Sequence, residues 1–476
     1  MTEASPQRAN MGFIGAIVAV ATIGGFLFGY DSGAVNGTQP GLRAAFSLDD
    51  AGLGFTVGSL LIGCFIGAFL AGRLADVMGR RKVMMLAAVL FLVSALVQGL
   101  AEAHLLFVIA RLLGGMAVGA ASVLSPAYIS EVAPASIRGR MTTIQQIMII
   151  TGLTAAFVVN WYVAREAGES TAPYWMGIEA WRWMYLMQAL PAAIFLIALL
   201  FIPESPRYLV SKGRDEQALG VLTSLFGADV ARAKLEEIRA TFDQDHRPRL
   251  SDVMAPAGAR RGLFGLRPIV WAGILLAVFQ QLVGINVIFY YGSTLWQLAG
   301  FTEAQSLLIN IVSGVVSIAA CLLTILLIDR IGRKPLLLIG SAGMAATLFV
   351  MVYAFSHAAI DPADASKIVL SEDLGMIAVI AANLYVIFFN VSWGPVMWVM
   401  LGEMFPNQIR GSALAVAGFF QWFSNYLVAQ SFPVMAASLG LAASYSFYAV
   451  CAVISFFLVQ KFIKETKGKE LEEMQG

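Results

Sequence analysis

Long apolar runs recur along the whole sequence, and they constrain the fold more than any other feature. A helix needs about 20 apolar residues to cross a bilayer. Runs of this kind lie near 12–36, 51–74, 83–101, 105–128, 141–164, 182–202, 268–297, 304–328, 335–356, 374–402, 411–437 and 440–462. Only 13% of the 476 residues are charged, about half the fraction usual in soluble domains. The pattern predicts twelve transmembrane helices.

Positive charges are distributed unevenly between the two ends of these predicted helices. If the N-terminus is cytoplasmic, the short loops and the tail on that side hold fourteen Lys and Arg residues. The loops on the opposite side hold four, Arg43, Arg165, Arg182 and Lys367. This difference follows the positive-inside rule and predicts that both termini are cytoplasmic.

One long polar interval, 203–267, divides the chain into two sets of six predicted spans. Within it, DEQALGVLTSLFG and DVARAKLEEIRATF have helical spacing and acidic starts, which predict short amphipathic helices on the cytoplasmic face. We therefore expect an all-α integral membrane protein. Its predicted domains are an N-terminal six-helix bundle (1–202), a helical linker (203–267), a C-terminal six-helix bundle (268–462) and a cytoplasmic tail (463–476).

Matched loop motifs show that the two halves repeat one another. GRLADVMGRRK after the second span resembles IDRIGRKP after the eighth, and SEVAPASIRG after the fourth resembles GEMFPNQIRG after the tenth. The matched charges are Asp76, Arg80, Glu131 and Arg138 in the first half and Asp329, Arg333, Glu403 and Arg410 in the second. Any single one could be a solvated charge that sets orientation. Together they predict gating ion pairs at the cytoplasmic face that hold the halves together when the site faces outward, weak enough to break in each cycle at about 0–1 kcal/mol.

Three amides stand among aliphatic neighbours on the seventh span. Gln280, Gln281 and Asn286 lie within seven residues, and amides at bilayer depth must find hydrogen-bond partners. A single one would be an interhelical contact worth about 0.6–2 kcal/mol, whereas three favour a binding site. A carboxamide both donates and accepts, which suits an uncharged polyol. Gly284 between them is expected to interrupt the helix.

Two ionisable side chains lie well within the predicted spans. Asp31 is in FLFGYDSGAV on the first span, and Arg111 is in VIARLLGGMAVG on the fourth. Both fall in the outer half of the bilayer, where neither would be tolerated alone, so we expect them to pair. The pair could be a static salt bridge, or a proton site whose proton affinity changes as its members separate.

Four segments together resemble the sugar porter branch of the major facilitator superfamily. They are GRLADVMGRRK, PESPRYL, FQQLVGINVIFYY and SWGPVMWVMLGEMFPNQIRG. The resemblance covers essentially the whole chain and is strongest to bacterial sugar–proton symporters of the xylose, galactose and arabinose kind. It implies the major facilitator fold, with two six-helix bundles and a short cytoplasmic helical linker, in a bacterial cytoplasmic (inner) membrane.

The resemblance also implies which residues bind the sugar. They are Phe28, Gln146, Gln280, Gln281, Asn286, Tyr290, Asn310, Phe389, Trp398, Gln421 and Trp422. Aromatic faces stack on the C–H faces of a pyranose, although Trp398 could instead belong to an interfacial belt. Asp31 and Arg111 are implied in proton coupling, because the related symporters carry Asp in FGYD and the facilitative glucose transporters carry an uncharged residue.

Two positions depart from the xylose-symporter pattern and bear on which sugar is transported. Leu153 and Phe289 resemble the facilitative glucose transporters, so a hexose such as glucose or galactose is as plausible as xylose. The predicted function is import of a monosaccharide with H⁺ by alternating access. The alternatives are a passive uniporter with a structural Asp31, a drug–proton antiporter and a sugar sensor.

An enzyme is not expected, because the sequence offers no nucleophile–base set, metal cluster or phosphate loop. We accordingly expect no cofactor, no metal and no nucleic-acid partner. The expected partners are the sugar, H⁺ and the lipid bilayer, and the protein is expected to be a monomer.

Overall fold

The computed structural model describes residues 10–134, 138–244, 250–255, 262–360, 362, 368–406 and 409–467. The helices of the first half and the linker are α1 (Met11–Phe46), α2 (Asp50–Met78), α3 (Arg80–Leu100), α4 (His104–Val132), α5 (Arg138–Ala167), α6 (Ala180–Leu186), α7 (Ala189–Leu199), α8 (Pro206–Ser211), α9 (Asp215–Phe226) and α10 (Ala228–Gln244). Those of the second half are α11 (Pro268–Leu282), α12 (Ile285–Leu298), α13 (Glu303–Ile331), α14 (Arg333–Ser356), α15 (Glu372–Val391), α16 (Pro395–Met404) and α17 (Arg410–Phe462). Strands β1 (Ala359–Ile360) and β2 (Ile368–Val369) form a small antiparallel pair.

The predicted number of membrane crossings is confirmed. Eleven helical stretches in the described part of the chain are long and apolar enough to cross a membrane. The last of them, α17, has 53 residues and is broken at Gly440, where φ is 81°. It therefore supplies two crossings, which brings the total to twelve.

Two crossings of the second half are interrupted, and the sequence predicts the first of these breaks, at Gly284. In the seventh, Gly284 separates α11 from α12 with φ at 87°, and a Cβ at this position would lie 2.7 Å from the Tyr448 ring. Only glycine satisfies both constraints. In the tenth, α15 ends at Val391 and α16 begins at Pro395. Backbone groups are freed from helical pairing at both breaks and must be bonded by other groups.

Close helix contacts in the first half fix α1, the helix that carries Asp31. A Cβ on Gly29 would clash with the Ile149 carbonyl oxygen, and one on Gly152 would clash with that of Phe26. Small residues therefore let α1 and α5 approach backbone to backbone, which is a common packing mode within membranes. The rotation of α1 is fixed in this way, and Asp31 faces α4.

The linker packs beneath the first half. Helices α9 and α10 cover the two segments predicted to be amphipathic, and the Asn10 amide at the start of α1 donates to the Leu225 carbonyl at 2.9 Å. We call this end of the molecule the linker side and the opposite end the distal side.

The two halves meet along three helix pairs, α1 with α12, α2 with α17 and α5 with α13. At the first pair, Asn36 Nδ2 donates to the Phe289 carbonyl at 2.8 Å, and Asn36 Oδ1 accepts from the Ser293 amide at 2.9 Å. These bonds join the distal part of α1 to α12. The residues discussed below lie on the helices that form this interface.

Candidate functional site

Gln280 joins the two interrupted crossings. Its Nε2 donates to the Trp393 carbonyl at 3.0 Å, which is a backbone group left free between α15 and α16. Its Oε1 accepts from Gln281 Nε2 at 3.2 Å and from Gln421 Nε2 at 3.3 Å. All three glutamines are buried. One carboxamide therefore bonds a backbone carbonyl that the helix break leaves free, and it also begins a polar network.

The network continues across the break at Gly284 towards the distal side. Asn286 Nδ2 donates to Gln281 Oε1 at 2.6 Å and to Asn425 Oδ1 at 2.9 Å. Asn425 Nδ2 then donates to the Tyr290 hydroxyl at 3.2 Å. Gln280, Gln281, Asn286, Gln421 and Asn425 thus form one set of five amides, called the amide network below. It brings together four of the residues predicted to bind sugar.

Asn425 belongs to this network although the sequence interpretation did not single it out. It follows Gln421 by four residues on α17, so both amides lie on the same helix face. That spacing within FFQWFSN was the signal that could have identified it.

An aromatic pair brings together one ring from each half. The rings of Phe28 on α1 and Trp422 on α17 lie 5.6 Å apart in an edge-to-face arrangement, a geometry that aromatic rings prefer. Trp422 is one residue from Gln421. The two predicted aromatic ligands therefore meet at the edge of the amide network, one from each half.

The remaining predicted sugar ligands lie outside the amide network. Asn310 Nδ2 donates to Asn36 Oδ1 at 2.8 Å, and Gln146 is half-buried on α5. Phe389 is buried beside the break in the tenth crossing, where its carbonyl accepts from the Gly394 amide at 2.9 Å. Trp398 is 39% exposed on α16.

Asp31 and Arg111 form the predicted ion pair, with Nη1 of Arg111 3.5 Å from Oδ2 of Asp31. Both side chains are 1% exposed. Arg111 also donates to Gln98 Oε1 and to the Val57 carbonyl, each at 3.2 Å. Removing either charge would leave the other buried without compensation, at a cost of about 3–5 kcal/mol.

The loop motifs of the two halves build the same ion pairs. Arg80 lies 3.1 Å from Glu131 and 3.2 Å from Asp76. Its counterpart Arg333 lies 2.9 Å from Glu403 and 3.0 Å from Asp329. The internal repeat seen in the sequence therefore extends to individual side-chain contacts.

In this structure each of these ion pairs lies within one half, and pairing between the halves in an outward-facing state stays a prediction. Arg80 and Glu131 lie at facing ends of α3 and α4, both in the first half, and Arg333 and Glu403 lie on α14 and α16, both in the second. Neighbouring helices bring the charges together within one bundle. Arg410 Nη2 donates to the Phe405 carbonyl at 3.0 Å, and the side chain of Arg138 lies outside the described residues.

In each half an acidic residue and a hydroxyl residue form hydrogen bonds with the residues of the ion pair. They directly follow the sixth crossing in the first half and the twelfth crossing in the second. In the first half Glu204 Oε1 accepts from the Arg80 amide at 2.9 Å, and the Ser205 hydroxyl donates to Glu131. In the second half Glu465 Oε1 accepts from the Arg333 amide at 3.1 Å, and Thr466 Oγ1 donates to Glu403 at 2.6 Å. The signal was present in the sequence as PES at 203–205 and KET at 464–466.

The Glu465 carboxylate lies outside the membrane-spanning helices. Burial raises its pKa, but four backbone N–H groups donate to the charged form and together lower the pKa below its ordinary value. The donors belong to Lys467, Arg333, Lys334 and Thr466.

In the described part of the chain, no cluster of three or more His, Cys, Asp or Glu side chains has the geometry of a metal site.

Comparison with known proteins places this arrangement in a family. The profile of the family described as "Sugar (and other) transporter" matches residues 17–476. The chain is 46% identical to the glucose transport protein of Synechocystis over 99% of this chain and 98% of that protein. It is 38% identical to the D-xylose-proton symporter of Escherichia coli over 98% and 96% of the two chains.

A solved structure extends the likeness to three dimensions. The inward-open conformation of the xylose transporter of Escherichia coli superimposes with a TM-score of 0.81, at 36% identity, over 97% of this chain and 99% of that one. The chain therefore belongs to the sugar transporter family of the major facilitator superfamily, with twelve transmembrane helices in two six-helix bundles.

Proposed function

We propose that the protein imports a monosaccharide together with H⁺ by alternating access. The observation that carries this proposal is the amide network, which is built where two membrane helices are interrupted and the two halves meet. Discontinuous helices at the interface of repeated bundles are where secondary transporters bind their substrates. The proposed sugar is a hexose such as glucose or galactose, or the pentose xylose.

The chemistry of the network supports a neutral polyhydroxylated substrate. Each carboxamide offers two donors and an acceptor, and the network contains no charged side chain that would select an ion. Phe28 and Trp422 supply rings for the apolar face of a pyranose. We assign Gln146, Asn310, Phe389, Trp398 and Tyr290 to the same site, which a sugar would complete as the halves rearrange around it.

The buried ion pair supports coupling to H⁺. Asp31 is a carboxylate in the same helix as Phe28, and its charge is balanced by Arg111 from α4. A change in their separation changes the proton affinity of Asp31. The likeness to a relative that is a D-xylose-proton symporter supports this role. If the pair is static, the protein is instead a passive uniporter.

The matched linker-side ion pairs support alternating movement of two units. We propose that 1–202 and 268–462 move as bundles joined by the linker, and that the ion pairs stiffen each bundle at its cytoplasmic end. The proposed location is a bacterial inner membrane with both termini in the cytoplasm, and the proposed oligomeric state is a monomer.

Uptake by proteoliposomes tests the proposal. With the external medium more acidic than the lumen, labelled glucose should accumulate above its external concentration, and a protonophore should reduce uptake to equilibration. Competition by xylose, galactose and fructose ranks the sugars. Accumulation that persists with the protonophore would contradict proton symport, and equilibration insensitive to the pH gradient would identify a uniporter.

A further inference from the structure

A narrow cavity, with no room for a water molecule, lies beside Arg111 of the buried ion pair and Tyr290 at the edge of the amide network. Arg111 from α4, Ser32 from α1 and Tyr290 from α12 form its polar wall, and the rest of its lining is aliphatic. Arg111 is the partner of Asp31, and Tyr290 is bonded to the amide network through Asn425. The cavity is therefore shared by the proposed proton site of one half and the proposed sugar site of the other.

Three buried polar atoms around this cavity lack a hydrogen-bond partner within the described residues. They are Nε of Arg111, the hydroxyl oxygen of Ser32 and Oδ2 of Asp31, although the last still faces Nη1 of Arg111 at 3.5 Å. Buried polar groups are rarely left unsatisfied in folded proteins. Three of them in one place, a guanidinium N–H, a carboxylate oxygen and a hydroxyl that can both donate and accept, indicate groups that form hydrogen bonds in another conformation of the cycle.

Tyr290 is placed to sense the sugar. Its hydroxyl accepts from Asn425 at 3.2 Å, and Asn425 accepts from Asn286 at 2.9 Å. The proton of the Tyr290 hydroxyl remains available for donation, and the Ser32 hydroxyl lies beside it. A sugar hydroxyl that binds Asn286 and Asn425 therefore changes the hydrogen bonding of Tyr290 directly.

We propose that Ser32 and Tyr290 transmit sugar occupancy to Asp31 by competing with its carboxylate for Arg111. This inference rests on the proposed function and deepens it. When the sugar takes the hydrogen bond of Asn425, the Tyr290 hydroxyl turns its proton to Ser32 Oγ, and Ser32 Oγ accepts from Nε–H of Arg111. The guanidinium is drawn away from Asp31, and an isolated buried carboxylate binds a proton from the aqueous phase that the site faces. Release of the sugar restores the pair, and the proton returns to water.

The groups around Asp31 explain why movement of Arg111 has the largest effect on the proton affinity of Asp31. The titratable or charged side chains that act on it are Arg111 on α4, Cys64 on α2, Tyr185 on α6 and Tyr290 on α12, and the amides of Gln98 and Gln188 lie beside it. Arg111 is the cation among these groups. A modest shift of its guanidinium therefore changes the charge balance at Asp31 more than any other movement in the set.

Proton uptake on sugar binding tests this link. Purified protein in weakly buffered detergent solution, with a pH indicator, should take up protons when glucose, or the sugar that competes best in uptake, is added. Ser32→Ala should lower the uptake by about fivefold or more, because linked binding of two ligands is reciprocal. The sugar should still bind, with an affinity that depends less on pH.

Matched variants separate a positioning role from a packing defect. Ser32→Thr keeps the hydroxyl and should restore proton uptake. Ser125→Ala removes another buried hydroxyl that lacks a partner within the described residues, in α4 and away from the cavity, and should leave uptake unchanged. Tyr290→Phe should also lower uptake, and combining it with Ser32→Ala should add nothing, because the two residues act through one link.

The outcomes distinguish this inference from the proposed function. If Ser32→Ala keeps wild-type proton uptake and pH dependence, or if the two substitutions have additive effects, the link through the cavity is wrong while symport stands. If the wild-type protein binds sugar without taking up protons, proton symport itself is contradicted.

Discussion

The two halves of the molecule have the same fold, but their interiors differ in chemistry. The first half buries a carboxylate and a guanidinium, Asp31 and Arg111, on uninterrupted helices. The second half breaks two of its crossings and surrounds the breaks with neutral amides. The linker-side ends do not differ in this way, because Arg80 and Arg333 make equivalent contacts.

The difference suggests a division of labour within a duplicated fold. A buried ion pair responds strongly to small changes in distance or hydration, since charges interact strongly at low dielectric constant. Amides bind neutral hydroxyl groups without perturbing a charge. Because the amide network and the ion pair are adjacent but chemically separate, each can be altered without removing the other.

The largest effect is expected from Asp31→Asn in the first half. This variant should lose concentrative uptake entirely, so that internal sugar only reaches the external concentration, because no proton can bind at the pair. Sugar counterflow should remain, since the amide network is intact. Asp50→Asn is the matched control, because Asp50 pairs with Arg43 at 2.6 Å in a partly exposed position. An Asp31→Asn variant that still concentrates sugar would show that the pair is structural.

An intermediate effect is expected from Gln281→Ala in the second half. A sugar hydroxyl that binds Gln281 in the wild type would be left without its partner in the variant complex, which costs about 1–3 kcal/mol for a buried polar group. The sugar dissociation constant should therefore rise by about tenfold, while any proton-gradient dependence of the remaining uptake is kept.

The control for this prediction is Gln305→Ala, a glutamine at the start of α13 that bonds to Thr302. Its sugar affinity should match that of the wild type. An unchanged dissociation constant in Gln281→Ala would remove the seventh crossing from the site.

The smallest effect is expected where the halves are alike. Glu465→Gln should lower the melting temperature at pH 7 by a few degrees, because the charged carboxylate accepts four backbone hydrogen bonds. Since its folded pKa is lowered, this stabilisation is present above the ordinary carboxyl pKa and is lost as pH falls through the folded value. The difference from wild type in a thermal unfolding assay should therefore shrink in acid.

Glu204→Gln sharpens the comparison between the halves. Glu204 accepts from the Arg80 and Arg81 amides as Glu465 accepts from those of Arg333 and Lys334. Destabilisation at pH 7 should be similar in the two variants. If only one variant is destabilised, the ion-pair networks are equivalent in geometry but not in energy.

Local sequence determined a large part of this protein. The length of the apolar runs sets the number of crossings, because the bilayer fixes the length of a spanning helix. Gly284 and Pro395 set the two breaks. Glycine tolerates the positive φ at the first break, and proline, which lacks a backbone N–H, begins the helix after the second. The Asp31–Arg111 pair was also predictable, since two charges at similar depth in one bundle cannot remain separate.

Tertiary structure decided what depends on the rotation of one helix against another. The sequence could not show that Arg80 meets Glu131 within one bundle or that Asn36 joins the two halves. It also gave no sign of the cavity between Arg111 and Tyr290. Hydropathy specifies which residues lie in the membrane, whereas side chains from helices distant in sequence become neighbours only when the bundles pack.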